Sequence, residues 1–182
     1  MRVGVVGAGA WGTTIAIHLA KKGAQVQLWA RDPERAAKLQ RERVNERYLP
    51  DFPFPDGVRV LSGRLDPCDF LVGAVPTQHV RAVFATLADL LPRAPLLSVA
   101  KGIEVGTCLL PTQILARVLG DAWPTAVLTG PCIALEVARG MPTAVVVAGA
   151  EARRFQDAFS TSRFRVYTSD DKMGLELAAG LK

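Results

Sequence analysis

The segment Gly7-Ala8-Gly9-Ala10-Trp11-Gly12 constrains the fold more than any other. It is a G-x-G-x-x-G that follows the apolar run Arg2-Val3-Gly4-Val5-Val6, opens a stretch with helical apolar spacing, and is succeeded by a second apolar run over 25–30. The fingerprint alone is weak, but strand, glycine turn, helix and second strand together form the setting in which it binds a dinucleotide. There Gly7 permits the tight turn, Gly9 has no Cβ to keep a pyrophosphate from the backbone, and Gly12 lets the helix pack closely on the sheet. The unpaired amides of Ala10, Trp11 and Gly12 and the positive end of the helix dipole would then face the phosphates. The competing explanation is a tight strand–helix turn that binds nothing.

Short β-branched runs alternate with amphipathic stretches along the whole chain. Strands are expected over 2–7, 25–30, 58–61, 70–75, 96–100, 126–129, 143–148 and 164–168, and helices over 10–22, 33–44, 77–91, 110–119, 133–138, 150–160 and from 172 onward. The run Ala144-Val145-Val146-Val147-Ala148 lacks polar alternation, as expected of a strand buried on both faces of a parallel sheet. Repeated strand–helix–strand units predict an α/β, Rossmann-like, doubly wound, mostly parallel sheet with helices on both faces. The segment 45–57, with prolines at 50, 53 and 55, has no helical period and is expected to be a long loop pinned by Leu49, Phe52 and Phe54.

The end of the second strand bears on cofactor choice. Folds that prefer NAD place Asp or Glu there to bind the ribose 2′-hydroxyl, whereas this chain has Trp29-Ala30-Arg31-Asp32-Pro33. Ala30 removes a carboxylate that would repel a 2′-phosphate, and Arg31 could pair with one, so NADP should be accepted. Asp32 before Pro33 reads as a helix N-cap.

Ligands of open α/β sheets bind outside the carboxyl ends of the strands. Three further strands end there in Val75-Pro76-Thr77-Gln78, Ala100-Lys101-Gly102 and Thr129-Gly130-Pro131-Cys132. Lys101 would point into the same crevice as the glycine loop and hold an anionic substrate or polarise its carbonyl. A lysine simply reaching to solvent is the alternative. Pro76 and Pro131 would shape loops and wall the nicotinamide pocket.

These segments, together with Val99-Ala100-Lys101-Gly102-Ile103-Glu104, the stretch from Gly130 to Ala138 with Pro142-Thr143-Ala144, and Gly174-Leu175-Glu176-Leu177-Ala178-Ala179-Gly180-Leu181-Lys182, resemble the bacterial NAD(P)-dependent glycerol-3-phosphate dehydrogenases over the whole chain. The resemblance implies reversible hydride transfer between NAD(P)H and C2 of dihydroxyacetone phosphate, giving sn-glycerol 3-phosphate for glycerophospholipid synthesis. It implies that Lys182 is the catalytic lysine and general acid, and that Lys101 binds and orients the substrate. Gly130 is placed at the substrate, and Ala134 near the cofactor. Cys132 stands where the family commonly has Ser or Asn, and Leu135 where it commonly has a charged residue. The resemblance also implies a second, mostly helical domain beyond residue 182, so residues 1–182 are expected to be the amino-terminal dinucleotide-binding domain of a longer enzyme, inactive by themselves. Other enzyme readings are a 3-hydroxyacid dehydrogenase or a ketopantoate reductase with the same amino-terminal fold. A non-catalytic NAD(P)-binding module is the reading from another class.

Composition narrows the remaining classes. The 182 residues carry a net charge of +5, but the cations are dispersed and not interleaved with aromatics, so a small anionic partner accounts for them as well as nucleic acid, which is not expected. Cys68, Cys108 and Cys132 are too scattered for a metal site or disulfide framework, and His18 and His79 are isolated. No apolar run is long enough to span a membrane and no secretory signal opens the chain, so a cytoplasmic protein is expected. Leu175, Leu177, Ala178 and Leu181 would leave an apolar face on the last helix that either packs on the sheet or allows homodimerisation.

Overall fold

The computed structural model describes residues 1–181. The elements run β1 (Arg2–Val6), α1 (Ala10–Lys21), β2 (Gln25–Trp29), α2 (Pro33–Glu42), β3 (Val44–Asn45), β4 (Leu49–Pro53), β5 (Val58–Leu61), β6 (Phe70–Gly73), α3 (Thr77–Leu87), β7 (Leu96–Ser98), α4 (Pro111–Leu119), β8 (Thr125–Thr129), α5 (Ala134–Ala138), β9 (Thr143–Gly149), α6 (Ala152–Phe159), β10 (Phe164–Ser169) and α7 (Lys172–Gly180). Eight strands form one sheet in the order β10-β9-β8-β7-β6-β1-β2-β5. The six from β5 to β8 are mutually parallel, while β9 pairs antiparallel with β8 and parallel with β10. From β1 the chain winds outward through β2 to β5, then returns to β6 on the other side of β1. That reversal opens a crevice at the carboxyl ends of β1 and β6.

The period-2 geometry of the strands divides their side chains between two cores. Val3, Val5, Phe70, Val72 and Leu97 join Ile15, Leu19, Phe155 and Phe159 on one face. Leu71 and Leu96 join Val80, Phe84, Ile114 and Trp123 on the other. Helices therefore cover both faces, as the pattern predicts.

Two expectations are corrected. Strand β9 is not buried on both faces of a parallel sheet: Val145 and Val147 are buried, Ala144 is exposed and Val146 half-buried, and its neighbour β8 runs the other way. An unbroken apolar run does not encode strand direction, and near the sheet edge its second face meets α7. The segment 45–57 is not a plain loop either, because β3 and β4 pair as a small antiparallel ribbon. Its prolines are tolerated because a two-stranded ribbon leaves outward N–H groups that no ladder needs. Leu49 and Phe54 are buried in the core and Phe52 packs at its edge, so the pinning residues act as expected.

Candidate active site

The glycine loop is shaped by contacts that leave no choice of residue at two positions. Gly7 has φ +113°, and a Cβ placed there would lie 2.4 Å from the Ala74 carbonyl oxygen. A Cβ on Gly12 would lie 1.9 Å from the Gly7 oxygen and 3.1 Å from the Ala74 Cβ, so the α1 backbone sits directly on the loop and on the turn after β6. Gly9 is different. It is the N-cap of α1, with φ −81° that any residue adopts, and a Cβ there would meet nothing within 4 Å. No side chain caps α1 among the described residues, and its first turn carries no acid. An open cradle over uncapped helix amides fits a pyrophosphate, with Ala10, Trp11 and Gly12 supplying the first turn.

Side chains that the sequence reading did not single out hold the loop from behind. The Ala8 carbonyl accepts hydrogen bonds from Arg35 (2.7 Å) and from Asn45 Nδ2 (3.1 Å), and Asn45 also donates to Thr13 Oγ1 at 2.7 Å. Asn45 lies on β3 and is buried. The ribbon thus clasps the glycine loop, and only an asparagine at the start of a proline-rich segment hinted at it.

At the end of β2, Ala30 is buried and Arg31 exposed. Asp32 accepts from the amides of Glu34 (2.9 Å) and Arg35 (3.1 Å), capping α2 as its position before Pro33 predicts. No carboxylate therefore replaces the expected ribose partner at residue 30. The guanidinium groups of Arg35 and Arg47 lie 5.0 and 5.2 Å from the centroid of Tyr48, so two cations gather on the side of the loop that Arg35 holds.

Lys101 follows β7 in a turn anchored by α3. Thr77 donates through its hydroxyl to the Lys101 carbonyl (2.8 Å), Gln78 donates to the Ile103 carbonyl (2.8 Å), and the Val105 amide donates to Gln78 (3.0 Å). Glu104 closes the turn by accepting two bonds from Arg81, at 2.9 and 2.7 Å, and one from the Thr107 hydroxyl. These bonds to Arg81, with that from Thr107, hold the Glu104 carboxyl below its ordinary range. Pro76 is exposed at the start of α3, beside the turn that Gly7 and Gly12 touch.

The Lys101 ammonium donates to the Gly130 carbonyl at 2.9 Å and lies 3.9 Å from Cys132 Sγ. Both line a cleft of about 540 Å³ with Ile133, Leu175 and Ala179. Gly130 admits no side chain, since a Cβ would come within 2.7 Å of the Ala144 oxygen. Ala134 begins α5, and its carbonyl accepts from Thr14 on α1 at 3.2 Å, which sets α5 against the helix that follows the glycine loop. The structure thus groups Gly7 to Gly12 with Pro76 and Ala134 on one side, and Lys101 with Gly130 on the other. Lys182 lies outside the described residues. Gly180, two positions earlier, packs on the Lys101–Gly102 turn, and a Cβ there would be 3.4 Å from Gly102 Cα.

A family model described as NAD-dependent glycerol-3-phosphate dehydrogenase N-terminus matches residues 2–154. The chain belongs to this family. Among curated proteins it is 43% identical to the glycerol-3-phosphate dehydrogenase [NAD(P)+] of Alkalilimnicola ehrlichii, over 99% of this chain and 56% of that protein. The corresponding enzyme of Chlorobium luteolum is 44% identical over 100% of the chain and 57% of its own length. The crystal structure of glycerol-3-phosphate dehydrogenase from Coxiella burnetii superposes with a TM-score of 0.88 at 32% identity, covering 98% of this chain and 56% of that one. The chain therefore spans a little over half the length of these relatives. Family membership and fold agree with the expected NAD(P)-binding Rossmann domain. Among the described residues, no helix is long and apolar enough to cross a membrane.

Proposed function

We propose that the protein carrying this chain interconverts dihydroxyacetone phosphate and sn-glycerol 3-phosphate with NAD(P)H, supplying glycerophospholipid synthesis in the cytoplasm. Residues 1–182 act as its dinucleotide-binding domain, working with a helical carboxyl-terminal domain. The observation that carries this reading is the position of Lys101. Its ammonium is presented at the carboxyl end of β7, in a cleft beside an open phosphate cradle, by a turn fastened at four points.

The bound dinucleotide supplies the hydride. Gly9, with the amides of Ala10, Trp11 and Gly12, holds its pyrophosphate, Arg31 pairs with a 2′-phosphate when one is present, and Pro76 and Ala134 border the nicotinamide end. Lys101 attracts the substrate phosphate and orients the carbonyl, and Gly130 keeps the facing wall free of a side chain. Lys182 donates the proton that the C2 oxygen takes up as hydride arrives, because an alkoxide left unprotonated at neutral pH would reverse the transfer.

Oxidation of NADPH in the presence of dihydroxyacetone phosphate, measured on the full-length gene product and on this chain, tests the proposal. The full-length protein should turn over, and the isolated chain should bind NADPH with little or no turnover. Activity only with a 3-hydroxyacid or ketopantoate would replace the substrate assignment, and NADPH binding without activity on any of these would replace the enzyme by a sensing module.

A further inference from the structure

Helix α7 walls the cleft with Leu175, Ala178 and Ala179 and presses Gly180 on the Lys101–Gly102 turn, yet its only buried side chain is an acid. Glu176 is 2% exposed, while Leu177 is 38% and Leu181 80% exposed. Its carboxylate accepts from the amide of Thr112 at 2.9 Å and from the Thr112 hydroxyl at 2.5 Å. Thr112 is the second residue of α4, whose N-cap is Leu110, a residue with no oxygen on its side chain. Its free first-turn amide is thus satisfied from 64 residues away in sequence. One turn before Glu176, Lys172 donates to Thr125 Oγ1 at 3.4 Å, and Asp171 caps α7 by accepting from the Gly174 amide.

We infer that Glu176 is a positioning residue: its hydrogen bonds to Thr112 fix the rotation and height of α7, and so place the Gly180 end of the helix against the turn that presents Lys101. An apolar knob would bury comparable surface but would let the helix slide or rotate, because hydrophobic contact is not directional. Two hydrogen bonds to one residue at the start of a helix leave a single docking geometry. The inference rests on the proposed substrate site for its consequence in catalysis, but not for the docking itself.

Three variants separate positioning from packing. Glu176→Gln keeps an acceptor for the Thr112 amide, and its NH₂ can donate to the Thr112 hydroxyl. Glu176→Met keeps the volume and loses both bonds. Thr112→Val removes one donor from the opposite side with little change of shape, and covers the case in which the methionine variant does not fold. Hydrogen exchange of segment 172–180 in this chain should quicken about tenfold or more in Glu176→Met, less in Thr112→Val, and less than about threefold in Glu176→Gln, the scale set by losing hydrogen bonds to a charged acceptor. In the full-length protein, Glu176→Met should lower kcat for dihydroxyacetone phosphate about tenfold or more with NADPH affinity unchanged, and Glu176→Gln should restore most of it. Exchange in Glu176→Met equal to wild type, or equal damage from Gln and Met, overturns the inference. If the exchange pattern holds but the wild-type protein does not reduce dihydroxyacetone phosphate, the positioning stands and the substrate assignment falls.

Discussion

The Gly9→Ala variant separates a structural glycine from one reserved for a ligand. The added methyl meets no protein atom within 4 Å and the backbone is at φ −81°, so the folded state bears no strain. The unfolded chain meanwhile loses conformational freedom. The stability of Gly9→Ala should therefore be unchanged or higher by up to about 1 kcal/mol. The same methyl stands in the cradle over the first amides of α1, where a pyrophosphate must come within hydrogen-bonding distance. Losing even two such charge-assisted bonds at about 1.5–3 kcal/mol each weakens NADPH binding by a hundredfold or more. Gly12→Ala is the contrast: its methyl would lie 1.9 Å from the Gly7 oxygen, and backbone must move to relieve it. That variant should lose about 1–3 kcal/mol or more of stability as well as binding. Urea unfolding together with NADPH fluorescence titration on the isolated chain reads both quantities. Wild-type affinity in Gly9→Ala would refute the assignment of this loop to the pyrophosphate, whatever the stability data show.

Further expectations follow from the rim, the ribbon and the buried acid. Arg31→Ala should weaken NADPH binding about tenfold and leave NADH within about twofold, since only the 2′-phosphate loses a partner; equal loss for both cofactors would remove Arg31 from that role. Asn45→Ala should cost about 1–3 kcal/mol in urea unfolding, because the buried Thr13 hydroxyl loses its donor and the Ala8 carbonyl is left with Arg35 alone, and weaken NADPH binding in parallel. Burial raises the Glu176 carboxyl above its ordinary 4.5, against the lowering effect of its bonds to Thr112. A group whose folded value is raised favours the protonated fold, so its cost emerges as pH climbs past 4.5 and is complete above the raised value. Glu176→Gln should therefore gain stability relative to wild type as pH rises through that window, and thermal melts showing a pH-independent difference would contradict this.

Much of the fold was legible because the signals were local. Strand and helix periods located all eight sheet strands within a few residues, and Asp32 before Pro33 announced its own capping role. The reversal of β9 and β10 was hidden because an apolar run looks the same read in either direction. The β3–β4 ribbon was hidden because its prolines suppress the usual strand signal, and because what stabilises it, Asn45 on the Ala8 carbonyl, joins residues 37 positions apart. The candidate site divides in the same way. Gly7, Gly9 and Gly12 announce themselves by spacing, and Lys101 by its place after a strand. Thr77, Arg81 and Glu104, which aim that lysine, are ordinary residues in sequence and acquire their role only when α3 and the turn after β7 come together.

The reversed strands also decide where α7 can go. Because β10 runs against the six parallel strands of the sheet, it ends at the edge of the sheet far from the crevice, beside Thr125 and Gly149, which Lys172 touches. The helix that follows must climb back along β8 and β9, and so it arrives at Gly102 with its last turn. A β10 parallel to β1 would have launched the same helix from the crevice and carried its end away. Two strands on one flank of the sheet thus act as a switchback, turning the path of the backbone around so that residues distant in sequence from Lys101 reach it.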